Sequence, residues 1–244
     1  MKIYLCEDTV SGLFSAVFRA YEEKNTNAKI STLSFMQSGF DTEFIETATD
    51  ENHAERVKMA LARYGGNKTL YEIERAMRSC EAEKADVIFA YIRRFLTEKR
   101  DISRSFAYAE VMSFYTLCDR VRLEIHRFSG FLRFEERHGV LYAQFSPDND
   151  IADLLLPHFA RRLGERPFLI HDVRRNRFAA WNGKKAAHFF SDAPVGGASA
   201  EEREISELWK KYFRAVNIDS RPHPKQQDGY LPRRYRKHMD EFRL

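Results

Sequence analysis

At Phe131 the spacing of apolar residues changes from helical to alternating, and that change limits the folds open to this chain. Residues 51–129 read as helix throughout, with segments expected over about 52–64, 69–80, 82–99 and 105–128. They are punctuated by Tyr64-Gly-Gly-Asn67 and by Arg100-Asp-Ile-Ser103. From Phe131 the pattern alternates. Phe131-Leu-Arg-Phe-Glu-Glu136 and Val140-Leu-Tyr-Ala-Gln-Phe145 flank the turn Arg137-His-Gly139, which is the pattern of a β-hairpin. Period 3.6 and period 2 bury different sets of positions, so the two stretches cannot be one kind of structure.

The rest of the chain extends this division. Residues 2–6 read as a strand, residues 11–24 as a helix with Leu13, Phe14, Val17, Phe18 and Tyr21 on one face, and residues 29–36 and 40–47 as further strands. The opening is therefore a small α/β unit, its first two strands expected to pair in parallel. Beyond the first hairpin, Pro147-Asp-Asn-Asp150 offers cap and turn residues before a helix over 151–163. Residues 168–173 and 177–181 form a second hairpin across Arg174-Arg-Asn176, with a short strand near 186–190. Asp192 to Ser199 reads as a linker, and residues 200–216 as a helix carrying Ile205, Leu208, Trp209, Tyr212 and Phe213. The expected fold class is α+β: an α/β unit, a helical middle section, and an antiparallel sheet of hairpin, helix and hairpin with a terminal helix and basic tail. The expected domains are 1–129, 130–192 and 200–244.

Charge is distributed as unevenly as periodicity. Residues 1–119 hold 16 Lys/Arg and 19 Asp/Glu, a net −3, whereas residues 120–244 hold 24 and 17, a net +7. A surface that meets a polyanion is expected in the second half. The tail from Arg221 to His238 packs six Lys/Arg against one Asp, with Tyr230 and Tyr235 interleaved. Lysine and arginine neutralise phosphates and release counterions, and tyrosines stack on exposed bases. The expected phosphate contacts are Arg133, Arg162, Arg174, Arg175, Arg177, Arg221, Lys225, Arg233 and Arg234, with Tyr235 as a stacking group.

Other chemistries find less in the sequence. Neither GxxxxGK[ST] nor GxGxxG occurs, and no HExxH or paired Cys/His spacing gathers metal ligands, so no cofactor is expected. Asp148, Asp150 and Asp153 could position a divalent metal for phosphodiester hydrolysis, or could cap the following helix. Asp172 beside His171 is a further acid/base candidate, although adjacent strand residues point to opposite faces. Cys6, Cys80 and Cys118 are too far apart for a metal motif and read as free thiols. No apolar run reaches the length of a membrane span and the N-terminus lacks signal-peptide features, so a soluble cytoplasmic protein is expected.

Several runs together resemble the bacterial family named "probable DNA metabolism protein". They are Phe128-Ser-Gly-Phe-Leu-Arg-Phe-Glu135, Leu141-Tyr-Ala143, Pro147, Pro157-His-Phe159 and Arg162; then Ile170-His-Asp-Val-Arg-Arg175, Leu208-Trp-Lys-Lys-Tyr-Phe213, Arg221, Lys225, Gln226, Leu231-Pro-Arg-Arg-Tyr235 and Glu241. The resemblance covers nearly the whole chain. It implies a DNA-repair accessory encoded beside a radical-SAM protein, in a family with relatives fused to a uracil-DNA glycosylase-like domain. The chain departs from that pattern after its first strand, where Cys6-Glu-Asp-Thr-Val-Ser-Gly12 shares only Asp8 and Gly12, and in the tail at His223 and Arg236. The CxxxCxxC cluster motif is missing, so radical chemistry would belong to the neighbour. The leading expectation is a non-catalytic DNA-binding partner of that enzyme. The alternatives are a metal-dependent nuclease or glycosylase-like enzyme using the aspartates, and an adaptor that binds the radical-SAM partner without touching DNA.

Overall fold

The computed structural model describes residues 2–25, 27–32, 42–191, 207–208, 228–239 and 242. The linker at 192–199 and nearly all of the helix expected over 200–216 lie outside them, although Glu207 and Leu208 are helical. The chain forms two compact units, Met1–Arg122 and Leu123–Leu244, whose boundary falls inside a helix.

In the first unit β1 (Lys2–Cys6) lies between β2 (Lys29–Thr32) and β3 (Glu43–Glu46), parallel to both. Tyr4, Leu5 and Cys6 are buried at its centre, and burial pushes the Cys6 thiol up to about 12. Helix α1 (Val10–Glu22) starts where the Thr9 hydroxyl accepts from the Gly12 amide at 3.0 Å; its face of Leu13, Phe14 and Val17 is buried in the core. Helix α2 (Glu51–Met77) begins at Asp50, whose carboxylate accepts from the amides of Asn52 and His53. Helices α3 (Lys84–Glu98) and α4 (Ala109–Phe131) follow, with Tyr91 and Phe114 stacked at 3.9 Å between ring centroids.

The Gly65-Gly66 break expected between two helices is present as a kink inside α2. Gly66 has φ 61° and ψ −167°, which side chains with a Cβ rarely adopt. Gly65 serves close packing instead: a Cβ there would lie 2.2 Å from the Thr69 hydroxyl and 2.8 Å from the buried Phe95 ring. Gly65→Ala is therefore expected to lower stability by about 1–3 kcal/mol, read as a reduced urea midpoint at unchanged m-value.

The second unit is built on a five-stranded sheet of order β4-β5-β6-β7-β8: β4 (Glu135–Arg137), β5 (Val140–Phe145), β6 (Phe168–Asp172), β7 (Arg177–Trp181) and β8 (Ala186–Phe190). Both expected hairpins are present. The first turns through His138 and Gly139, both at positive φ, in the manner of a two-residue hairpin loop. The hairpins join through a parallel β5/β6 pair, so the sheet is mixed and not wholly antiparallel. The reason is the helical crossover, which returns the chain to the starting end of β5 before β6 begins. That crossover is a 3₁₀ turn (Asp153–Leu155) leading into α5 (Leu156–Leu163), shorter than the helix expected over 151–163 and with Pro157 in its first turn.

The register puts Leu141, Ala143, Phe145, Phe168, Ile170 and Asp172 on one face. Phe159 of α5 meets Phe168 there, and Phe128 of α4 packs edge-on to Phe145 at 4.8 Å. Among the described residues, no helix is long and apolar enough to cross a membrane.

Candidate nucleic-acid interface

The arginines and aspartates singled out as rival sites turn out to be partners. Asp172 ends β6 fully buried, and its carboxylate accepts from the backbone amides of Arg174 and Arg175 at 3.0 and 3.3 Å, shaping the β6–β7 turn. Arg175 closes on the same carboxylate at 2.9 Å and donates to the carbonyls of Pro147 and Asp148. Burial pushes the Asp172 carboxyl above its ordinary value, against the pull of Arg175 and the two amides. Arg177 pairs with Asp150 and approaches Asp153 at 3.9 Å. Arg175 and Arg177, both expected as phosphate contacts, therefore tie the β6–β7 turn to the loop after β5. Asp148 and Asp150 hold arginines here; the 3₁₀ turn and α5 that follow have no side-chain cap bond.

The C-terminal segment enters the same site. A 3₁₀ turn (Arg233–His238) carries Tyr235 into the core at 4% exposure, its ring 4.6 Å from that of Phe128. The Tyr235 hydroxyl donates to Glu124 of α4 at 3.0 Å. Glu124 is itself buried and accepts from the amides of Asp148 and Asn149 at 2.9 and 2.8 Å, and from the Asn149 side-chain amide at 2.6 Å. One carboxylate thus ties α4, the loop after β5 and the C-terminal segment together. Tyr235, expected to stack on a base, is instead buried, its ring against Phe128 and its hydroxyl on Glu124.

What stays outward is a pair. Arg174, from the β6–β7 turn, lies 3.6 Å from one oxygen of Asp148; Arg234, from the C-terminal segment, lies 3.1 Å from the other. Both arginine side chains are more than half exposed, at 59% and 58%, and they share a single carboxylate. Arg234 is steadied from behind by the Tyr235 hydroxyl at 3.2 Å.

The remaining expected contacts are dispersed. Arg233 is exposed and pairs with Asp228 at 2.9 Å, whereas Arg236, nearly buried, pairs with the same aspartate at 2.7 Å. Arg133 is exposed and donates to the Gly130 carbonyl, and Arg162 is exposed on α5. Arg221 and Lys225 lie outside the described residues. Among the described residues, no group of three His, Cys, Asp or Glu side chains is placed to hold a metal ion.

A family profile described as "Domain of unknown function (DUF4130)" matches residues 82–241, well over half of the chain and the whole of this site. The chain belongs to this family. No curated protein matches the chain.

On the other face of the sheet, this DUF4130 chain lines up aromatic rings strand by strand. The His171 ring stacks on Phe178 at 4.0 Å, Phe178 stacks on Phe189 at 5.3 Å, and the Tyr142 hydroxyl lies 2.7 Å from His171 Nδ1. As expected of neighbouring strand residues, His171 and Asp172 face opposite ways and do not act together. Burial first holds the proton affinity of His171 below its ordinary 6.5, and the Arg137 guanidinium acts in the same direction. A folded value below the unfolded one means the unfolded chain binds protons first. The stability owed to neutral His171 is thus complete above pH 6.5 and is lost as pH falls through the folded value. Melting temperatures taken between about pH 7.5 and about pH 5 should fall less steeply for His171→Phe than for the parent. Equal slopes would refute the assignment.

Proposed function

We propose that the protein is a non-catalytic, nucleic-acid-binding accessory of DNA metabolism that works alongside a radical-SAM enzyme. One observation carries the binding part: Arg174 of the β6–β7 turn and Arg234 of the C-terminal segment, far apart in sequence, converge on one carboxylate with both side chains more than half exposed over a single negative charge. A backbone phosphate has the charge and the acceptor oxygens to take both, since guanidinium forks match phosphate oxygens two at a time. The net charge of +7 carried by residues 120–244 supports the same reading. The DNA-metabolism setting and the radical-SAM partner rest on the resemblance alone.

The aspartates of the competing nuclease reading are engaged with arginine: Asp148 with Arg174 and Arg234, Asp150 and Asp153 with Arg177, Asp172 with Arg175. A hydrolytic metal would have to displace those guanidiniums. The test is an anisotropy titration of the full chain with single- and double-stranded DNA across a salt series, run beside incubation with Mg²⁺ or Mn²⁺. Binding that weakens linearly on a log–log salt plot without DNA cleavage is expected. Lack of binding at low salt, with co-purification of the radical-SAM neighbour, would favour the adaptor instead.

A further inference from the structure

The two edges of the second unit's sheet are built differently. β4, at one edge, is three residues long and charged, with Glu135, Glu136 and Arg137. Short charged edges resist pairing with another chain. β8, at the other edge, is Ala186-Ala-His-Phe-Phe190: five residues without a carboxylate, lysine, arginine or proline, every one of them exposed. Phe189 is 43% and Phe190 73% exposed, on opposite faces of the sheet. Among the described residues no strand pairs with the outer edge of β8, which offers backbone groups and apolar side chains on both sides to an incoming strand.

We infer that β8 pairs with β8 of a second copy, antiparallel about a two-fold axis through His188. The strand is complementary to its own reverse. Pairing centred on His188 sets Phe190 opposite Ala186 and Phe189 opposite Ala187, so that on each face a phenyl ring covers a partner's methyl group, and the two histidines meet at the axis. One ring-on-methyl pair of this kind already exists between β8 and β7, where Ala186 lies opposite Trp181. Charge selects the antiparallel sense. Lys184 and Lys185 directly precede β8, and a parallel arrangement would bring both lysine pairs side by side, whereas the antiparallel one sends them to opposite ends. An isologous contact of this kind closes on itself and joins the five strands of each copy into one continuous sheet.

Sedimentation velocity of the full chain over a concentration series tests the inference. A dimer is expected that dissociates in His188→Lys and in Phe190→Lys while far-ultraviolet circular dichroism and melting temperature stay unchanged. In a Cys80→Ser background, which removes the exposed thiol, His188→Cys should form an interchain disulfide under mild oxidation, since directly opposed strand residues are within disulfide reach. Lys184→Cys should not. A chain that stays monomeric at every concentration overturns the inference. So does a dimer that survives both lysine substitutions, or one that crosslinks through position 184 and not 188. Capture of an extended peptide by a monomeric chain, abolished by Phe190→Lys, would assign the edge to a different occupant.

Discussion

Glu124→Ala is expected to cost the second unit about 3–5 kcal/mol and to release its C-terminal segment. The buried carboxylate accepts four hydrogen bonds, from the amides of Asp148 and Asn149, from the Asn149 side chain and from the Tyr235 hydroxyl. Alanine leaves each donor without that acceptor, at about 1–3 kcal/mol per fully buried group, tempered where water can enter the space. Domains of this size are stable by only about 5–15 kcal/mol, so the change removes a large fraction of the total. Tyr235→Phe is the calibrating variant: it deletes one hydrogen bond and keeps the ring against Phe128, and should cost about 1 kcal/mol. Urea denaturation gives the two energies. Trypsin supplies the structural readout, because Arg233 and Arg234 become cleavable once Tyr235 leaves the core, and cleavage should be fast in Glu124→Ala and slow in Tyr235→Phe. A Glu124→Ala chain as stable and as protease-resistant as the parent would remove Glu124 from the centre of the site.

How much of this was readable in advance depends on what each signal encodes. Alternation around Arg137-His-Gly139 reports both strands and their turn, because period 2 and positive-φ residues are local properties. The direction in which β6 enters beside β5 is not local: period 2 is the same in parallel and antiparallel strands, so the mixed sheet had no signature in the alternation. Glu124 did leave a trace. Leu117, Val121, Glu124 and Phe128 follow one another at spacings of four, three and four, and the first, second and fourth are buried apolar residues. A carboxylate on that stripe must meet donors from elsewhere. Lys84, buried at the start of α3, is the same kind of trace in the first unit; it meets Asp8 at 2.7 Å and the Met77 carbonyl at 2.9 Å. Tyr235 was hidden by its neighbours. Surrounded by Arg233, Arg234, Arg236 and Lys237 it reads as a solvated basic arm, yet Met239, four residues on, is buried with it, and the pair forms the segment's inner face. Basic composition reported the outward side chains and was silent on the two that hold the segment down.

The same separation of inner from outer residues governs DNA affinity, where the double variant Arg174→Ala/Arg234→Ala is expected to bind roughly 60-fold more weakly at 0.1 M salt. Each phosphate contact adds about 0.9 to the log–log salt slope on duplex DNA, or roughly eightfold in affinity at that salt concentration. Two contacts should therefore also lower the slope by about 2, a quantity that general damage to the fold does not produce. The controls follow from the geometry. Arg175→Ala leaves the fully buried Asp172 carboxylate without its guanidinium and should lose stability by about 3 kcal/mol, while the slope of the fraction still folded stays near that of the parent. Deleting the C-terminal segment is a poor substitute for the double variant, because removing Tyr235 and Met239 opens the core and confounds lost contacts with lost fold. Asp148→Asn is the informative opposite. It withdraws the carboxylate that Arg174 and Arg234 share, leaves two uncompensated cations over the same spot, and should tighten DNA binding several-fold, since phosphate no longer competes with an internal anion. Tighter binding by Asp148→Asn together with a shallower slope for the double variant is a pattern that neither a metal-dependent nuclease nor a pure adaptor would produce. An unchanged slope in the double variant would move the nucleic-acid contact away from this face altogether.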